Sequence, residues 1–257
     1  MILEGRIALL DLHKSFGTQA VLRGVSLVVE PGESVAILGP SGAGKSVLLK
    51  HVVGLLRPDG GEVRIDGHVV HALRPRELSL LRMQVGMVFQ SSALLDSLTV
   101  GENVAFPLRR HRRMTERALQ EKVLEKLKLV GMEGAKDRMP AELSGGMRKR
   151  VGIARALVLE PRILLYDEPT AGLDPVTARA VDDLILHVQR QTGTTTVLVT
   201  HDLVTAFRVA QRIAVLEGGR FVLVGPPEAL WRSDHPVVVE FLRASFVPTP
   251  GREEGRL

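Results

Sequence analysis

The chain has 257 residues, 45% hydrophobic and 25% charged, with a formal net charge of +5 and no cysteine. That size allows one large α/β domain or two small ones, and the missing cysteines exclude disulfides, thiolate zinc sites and iron–sulfur clusters. No uninterrupted apolar run approaches the roughly 20 residues of a membrane span, and Glu4, Arg6 and Asp11 break up any signal-peptide core. The expectation is a soluble, intracellular protein whose basic balance favours an anionic ligand or surface.

In chain order, residues 7–12 read as a strand, Lys14-Ser15-Phe16-Gly17 as a turn, and 21–29 as a further strand pair. Pro31-Gly32 turns into a short apolar strand at 34–38. That strand runs into Gly39-Pro40-Ser41-Gly42-Ala43-Gly44-Lys45-Ser46, and an amphipathic helix follows with Val47, Leu48, Leu49, Val52 and Val53 on its apolar side. Strand, glycine loop and helix in that order are the context of a phosphate-binding loop. Glycines let successive backbone N–H groups approach phosphate oxygens, and the helix adds its unpaired amides and positive dipole end. Lys45 brings a full charge to the β- and γ-phosphates, and the Ser46 hydroxyl can ligate Mg²⁺. Residues 62–65 and 68–70 flank Asp66-Gly67, a two-residue hairpin signal. The loop is therefore expected within a partly antiparallel β layer rather than a plain doubly wound domain.

Residues 85–89 form a short apolar strand ending at Gln90, after which the pattern turns helical from about 91 to 160. One helix is expected within 99–108 and another at 115–130, where Leu119, Val123, Leu124, Leu127 and Val130 share a face. Between them lies Arg109-Arg110-His111-Arg112-Arg113, either a solvated helix connection or a contact for acidic head groups. A Ser144-Gly145-Gly146 turn precedes a helix at 148–157. It is a second anion cradle, one that a single triphosphate does not need. Facing outward, it would let two copies pair head to tail and enclose two nucleotides.

The α/β pattern then resumes. A buried strand at 163–166 delivers Asp167-Glu168 to its carboxyl end, where α/β folds place ligands. Asp167 would hold Mg²⁺ through water or Ser46, and Glu168 is the natural general base for an attacking water. A helix at 176–190 and a strand at 195–200 ending at His201 follow. His201 and Gln90, ordinary residues elsewhere, both stand at the carboxyl ends of strands, in reach of the γ-phosphate and of metal and water respectively. Hairpin strands at 213–217 and 220–224 and a helical stretch at 226–242 complete the domain.

Together these segments resemble the ATP-binding-cassette (ABC) ATPases over essentially the whole chain. Residues 39–46 match the Walker A loop, Gln90 the Q-loop, Leu143-Ser144-Gly145-Gly146-Met147 the signature, 163–168 Walker B, Ala171-Gly172-Leu173-Asp174 the D-loop and His201 the switch histidine. The resemblance implies an α/β P-loop NTPase of ABC type: a mixed sheet core, an N-terminal antiparallel β subdomain and an inserted helical subdomain near 91–160. One domain would span 1–245, with a tail at 246–257. It implies ATP and Mg²⁺ as ligands, with Phe16 stacked on the base and Val21 beside it. Stacking suits any purine, so GTP stays open.

Two details are similar to the ATPases of lipid-transporting MCE systems, such as the Mla phospholipid transporter: residues 88–111 and the Met147 that follows Ser-Gly-Gly. The implied partners are a second copy, transmembrane permease subunits docking near Ala93, Leu94, Leu95 and Leu98, and an MCE-type lipid-binding protein. The implied place is the cytoplasmic face of the inner membrane. A polar-solute importer is the alternative cargo reading. DNA-repair and translation members have paired cassettes or long coiled-coil insertions, which this chain lacks, so no nucleic-acid partner is expected.

Overall fold

The structure is a computed structural model and describes residues 3–244. Two sheets carry the fold. The smaller is antiparallel, ordered β2-β1-β4-β5, from β1 (Ile7–Phe16), β2 (Gln19–Val29), β4 (Gly60–Ile65) and β5 (His68–Val69). The larger, ordered β10-β9-β3-β8-β7-β6, uses β3 (Ser34–Leu38), β6 (Val85–Val88), β7 (Ile163–Asp167), β8 (Thr195–Thr200), β9 (Arg212–Glu217) and β10 (Arg220–Gly225). Its strands are parallel except β10, which returns antiparallel on β9.

The period-2 alternation of the central strands divides the interior in two. Val35 and Ile37 of β3, Leu165 of β7 and Val197 and Val199 of β8 point into a core shared with the antiparallel sheet and α1 (Lys45–Val52). Ala36 and Leu38, Leu164 and Tyr166, and Leu198 point into the other core. There they meet α3 (Val100–His111), α4 (Glu116–Leu129), α5 (Gly145–Leu157), α6 (Pro175–Thr192) and α7 (Leu203–Val209). Strands buried on both faces read as continuous apolar runs, which is why 34–38, 163–166 and 195–200 stand out in the sequence. Helix starts follow capping chemistry. Thr99 accepts from the Glu102 amide and Glu102 reaches back to Thr99, while Thr115 and Asp174 cap α4 and α6.

Three sequence expectations change and one unassigned stretch gains an element. Residues 14–16 are strand rather than turn, because Lys14, Ser15 and Phe16 pair with Leu22, Ala20 and Gln19. Residues 21–29 belong to one long strand, which stays paired with β1 through several register shifts instead of breaking in two. A short helix, α2 (Pro75–Met83), fills a stretch left unassigned. The expected helix at 226–242 is two, α8 (Glu228–Trp231) and α9 (Pro236–Ala244), because Pro236 cannot continue the first. The expected domain end at 245 and the tail at 246–257 lie outside the described residues.

Candidate functional site

The loop between β3 and α1 is shaped by its glycines. A Cβ on Gly39 would come 2.4 Å from the Leu216 carbonyl oxygen, so nothing larger fits against β9. Gly44 sits at φ 103, a conformation that L side chains rarely adopt. It precedes α1 without any side-chain cap, so no side chain takes up that helix's first amides. The Lys45 ammonium curls back over the loop, donating to the carbonyls of Gly39 (2.7 Å) and Pro40 (3.1 Å).

Parallel pairing sets the carboxyl ends of β7 and β8 beside the loop. Ser46 donates its hydroxyl hydrogen to Asp167 Oδ1 at 2.8 Å. Burial pushes the Asp167 carboxyl above the usual carboxylate range. The Ser46 hydrogen bond opposes that push, the Glu168 charge adds to it, and the Lys50 and Lys45 charges lessen it. Glu168 is held from both sides: Oε1 lies 3.3 Å from Lys45 Nζ and Oε2 lies 2.9 Å from His201 Nδ1. The backbone at Glu168 is left-handed (φ 48), a strained state for a non-glycine residue. Its N–H is tied to the Val199 carbonyl.

One cleft of about 480 Å³ gathers Phe16, Val21, Lys45, Gln90, Glu168 and His201, together with Ser41, Gly42, Gly44 and Ser46. Phe16 is exposed and carries the Lys14 ammonium 5.6 Å from its ring centroid. Of the other named site residues, Gly39 and Pro40 enter through the Lys45 contacts, Ala43 packs on the core under the loop, and Asp167 enters through Ser46. Ser144, Gly145 and Gly146 do not line this cleft. Ser144 caps α5 by accepting from the Met147 amide, and a Cβ on Gly146 would stand 2.4 Å from Thr177 Cγ2. Asp174 likewise caps α6 through the amides of Val176 and Thr177, and hydrogen bonding from the Thr177 side chain, joined by these amides, holds its carboxyl below the usual range. The structure thus brings the loop, Gln90, Asp167, Glu168 and His201 together and leaves the signature turn elsewhere.

Two features escaped the sequence reading. Helix α9 reaches the loop, where Val237, Glu240 and Phe241 with Pro40, Ser41 and His201 bound a second cavity of about 290 Å³. Lys149 on α5 is buried, its ammonium donating to the carbonyls of Gln90 (2.6 Å) and Glu168 (3.1 Å). The signal for the second was a lysine three residues from Gly146 and three from Gly152, in phase with the buried face of α5.

A strand-loop-helix phosphate cradle with a lysine, and a buried acidic pair at the carboxyl end of β7, one strand removed across β8, define a P-loop nucleotide hydrolase. Residues 22–171 match the family described as "ABC transporter". The "Probable ribonucleotide transport ATP-binding protein mkl" of Mycobacterium tuberculosis is 43% identical over 243 residues, covering 95% of this chain and 68% of that protein. "Protein TRIGALACTOSYLDIACYLGLYCEROL 3, chloroplastic" of Arabidopsis thaliana is 43% identical over 253 residues, covering 92% and 73%. A dimeric post-hydrolysis structure of the ATP-binding cassette MJ0796, bound to ADP and Pi, superposes with a TM-score of 0.78 at 35% identity, covering 86% of this chain and 98% of that one. The chain belongs to the ABC transporter family and is its ATPase cassette. Among the described residues no helix is long and apolar enough to cross a membrane.

Proposed function

We propose that this chain is the ATPase subunit of a membrane lipid transporter, working as a homodimer that encloses ATP between the loop of one copy and the signature turn of the other. The observation that carries the composite site is the cleft itself: it holds one cradle with its lysine, acid and histidine, and excludes the second cradle. A dimeric relative bound to ADP and Pi supports the same arrangement.

In this reading Lys45 and the loop amides take the β- and γ-phosphates, and Phe16 and Val21 flank the base. The phosphates compete with Glu168 for Lys45. Released from that ion pair, Glu168 accepts a proton from the water that attacks the γ-phosphorus, giving ADP and phosphate. His201 holds the carboxylate through Nδ1, so contact with the γ-phosphate falls to Nε2. Ser46 and Asp167 offer hard oxygen donors that suit Mg²⁺, which typically binds through one or two protein oxygens and substrate phosphates; Gln90 would add a third. When bound, the ion neutralises phosphate charge. Asp174, at the head of α6, would meet the partner's site. The single cassette is taken to run to residue 245.

The permease is read as docking beside Gln90, where Ala93 and Leu95 are exposed. It would hold the subunit peripherally on the cytoplasmic face of the inner membrane. Lipid cargo and an MCE-type partner rest on residues 88–111, on Met147 and on the galactolipid in the plant relative's name. The mycobacterial relative's name points instead to ribonucleotides. Copurification decides. Tagging the chain and extracting membranes gently should yield a permease, an MCE-type protein and bound phospholipid. A permease recovered with a polar-solute-binding protein and no lipid would overturn the lipid reading.

A further inference from the structure

Helix α5 begins at the signature turn, and side chains along its buried face hold two segments near the cleft that contain left-handed, non-glycine residues. Lys149, Gly152 and Arg155 recur at spacings of three and so lie on neighbouring turns. Lys149 is 5% exposed and donates to the carbonyl of Gln90 at 2.6 Å and that of Glu168 at 3.1 Å. Gly152 leaves room for Ser92, whose Cβ would lie 3.3 Å from any Cβ placed there. Arg155 donates to the carbonyls of Ser92 and Ala93, each at 2.7 Å. Glu168, Ser92 and Ala93 all have positive φ without being glycine, at 48°, 61° and 46°. Such conformations persist only where surroundings over-determine them, and they gather where geometry serves function.

A buried ammonium is a costly way to fill space, since an apolar side chain of similar volume would do so without desolvating a charge. Burial does lower the Lys149 pKa, while the Glu168 and Asp167 charges act to raise it. What an apolar residue cannot do is satisfy two carbonyls from different segments with one donor group. Those carbonyls belong to Gln90, on the segment after β6, and to Glu168, whose side chain faces Lys45 and His201.

We propose that Lys149 is a positioning residue, fixing the backbone of Glu168 to that of Gln90 so that displacement of the signature helix or of the Gln90 segment moves the carboxylate that takes the proton from water. Lys149 touches no substrate and acts through Glu168, so the inference rests on the general-base reading of Glu168. One side chain thereby links the turn that would meet the partner's nucleotide, the segment beside the permease and the chain's own acid.

The test compares Lys149→Met and Lys149→Gln with the native protein, alongside Glu168→Gln. Melting temperature, ATP affinity by titration, and kcat and KM of ATP hydrolysis are measured on the full chain. Methionine keeps the stem and loses the donors; glutamine keeps two N–H donors without charge. Lys149→Met is expected to bind ATP within about threefold of native and to lose tenfold or more in kcat, with KM little changed. Lys149→Gln is expected to recover at least a third of native kcat. A folded Lys149→Met within twofold of native kcat would overturn the inference, as would a loss of ATP affinity equal to the loss of turnover. If Lys149→Met does not fold, Lys149→Gln decides: a folded variant tenfold or more down in kcat would sink the hydrogen-bonding role. Normal turnover in Glu168→Gln would instead remove the reading of Glu168 on which the proposal stands.

Discussion

The phosphate loop and the signature turn are built alike and surrounded differently. Each is a glycine-bearing entry to a helix, and each offers backbone amides to an anion. At α1 no side chain caps the helix, and Lys45, Ser46, Glu168 and His201 converge on one cleft. At α5 the cap is taken by the Ser144 hydroxyl, accepting from the Met147 amide at 3.3 Å, and Gly145 and Gly146 face Leu173 and Thr177 of the D-loop and α6. One cradle has its chemistry within the chain. The other has a cradle alone, and in the proposed function it receives its nucleotide from a second copy.

The sharpest way to break that contrast is to disable one cradle and watch what the other loses. Glu168→Gln should lower hydrolysis by about 10²–10⁴, the usual worth of a general base, while ATP binding persists. Undiminished turnover would remove Glu168 from that role. Gly146→Ala should act through the other cradle. Its Cβ would fall 2.4 Å from Thr177 Cγ2, so the turn must shift. A displacement near 1 Å can cost about 10² in rate, so turnover should fall toward that limit with ATP affinity held within about twofold. Lys45→Ala should do the reverse and weaken ATP binding by about 10–100-fold, from hydrogen bonds to charged groups worth about 1.5–3 kcal/mol. Equilibrium titration with ATP would separate the two variants.

A fourth prediction concerns the platform behind both cradles. Thr205 Oγ1 lies 3.2 Å from Thr170 Oγ1, 3.2 Å from Asp182 Oδ2 and 3.1 Å from Asp202 Oδ2, joining the segment after Glu168 to α6 and α7. Asp182 is 2% exposed, and its pKa is pushed up to about 6 from 3.8, chiefly by burial. A folded pKa above the unfolded one means the folded chain holds this proton more tightly. That stabilisation is complete below about pH 3.8 and is lost as pH rises through about 6, by about 3 kcal/mol in all. Asp182→Asn should therefore gain stability relative to the native chain between pH 4 and pH 7. Parallel denaturation curves at both pH values would count against a buried, titrating Asp182.

Much of this was legible in the sequence because the chemistry is local. The loop is eight consecutive residues, and the strands feeding Asp167 and His201 are buried on both faces and so read as apolar runs. Helices α3, α4 and α6 announce their starts through Thr99, Thr115 and Asp174. What stayed hidden depends on distant pairing. Lys14–Phe16 carry turn-like residues and become strand only through partners on β2. Helix α2 is marked by Pro75 and Glu77 but exposes much of its apolar content, with only Leu81 buried, so its periodicity is faint. Lys149 looks like part of the basic run Arg148-Lys149-Arg150. Its phase with Gly146 and Gly152 marks it as the inward member, but only tertiary structure shows its targets, carbonyls 59 and 19 residues away. The contact of α9 with the loop is equally remote from any local pattern.

The central claim is that one chain binds ATP and two are needed to hydrolyse it. Its most direct test measures ATP bound per chain and hydrolysis rate per chain across a dilution series spanning the monomer–dimer transition, with sedimentation reporting the assembly state. Bound ATP per chain should stay level while hydrolysis per chain falls with the dimer fraction. A hydrolysis rate per chain that stays constant down to the fully monomeric range would contradict the account.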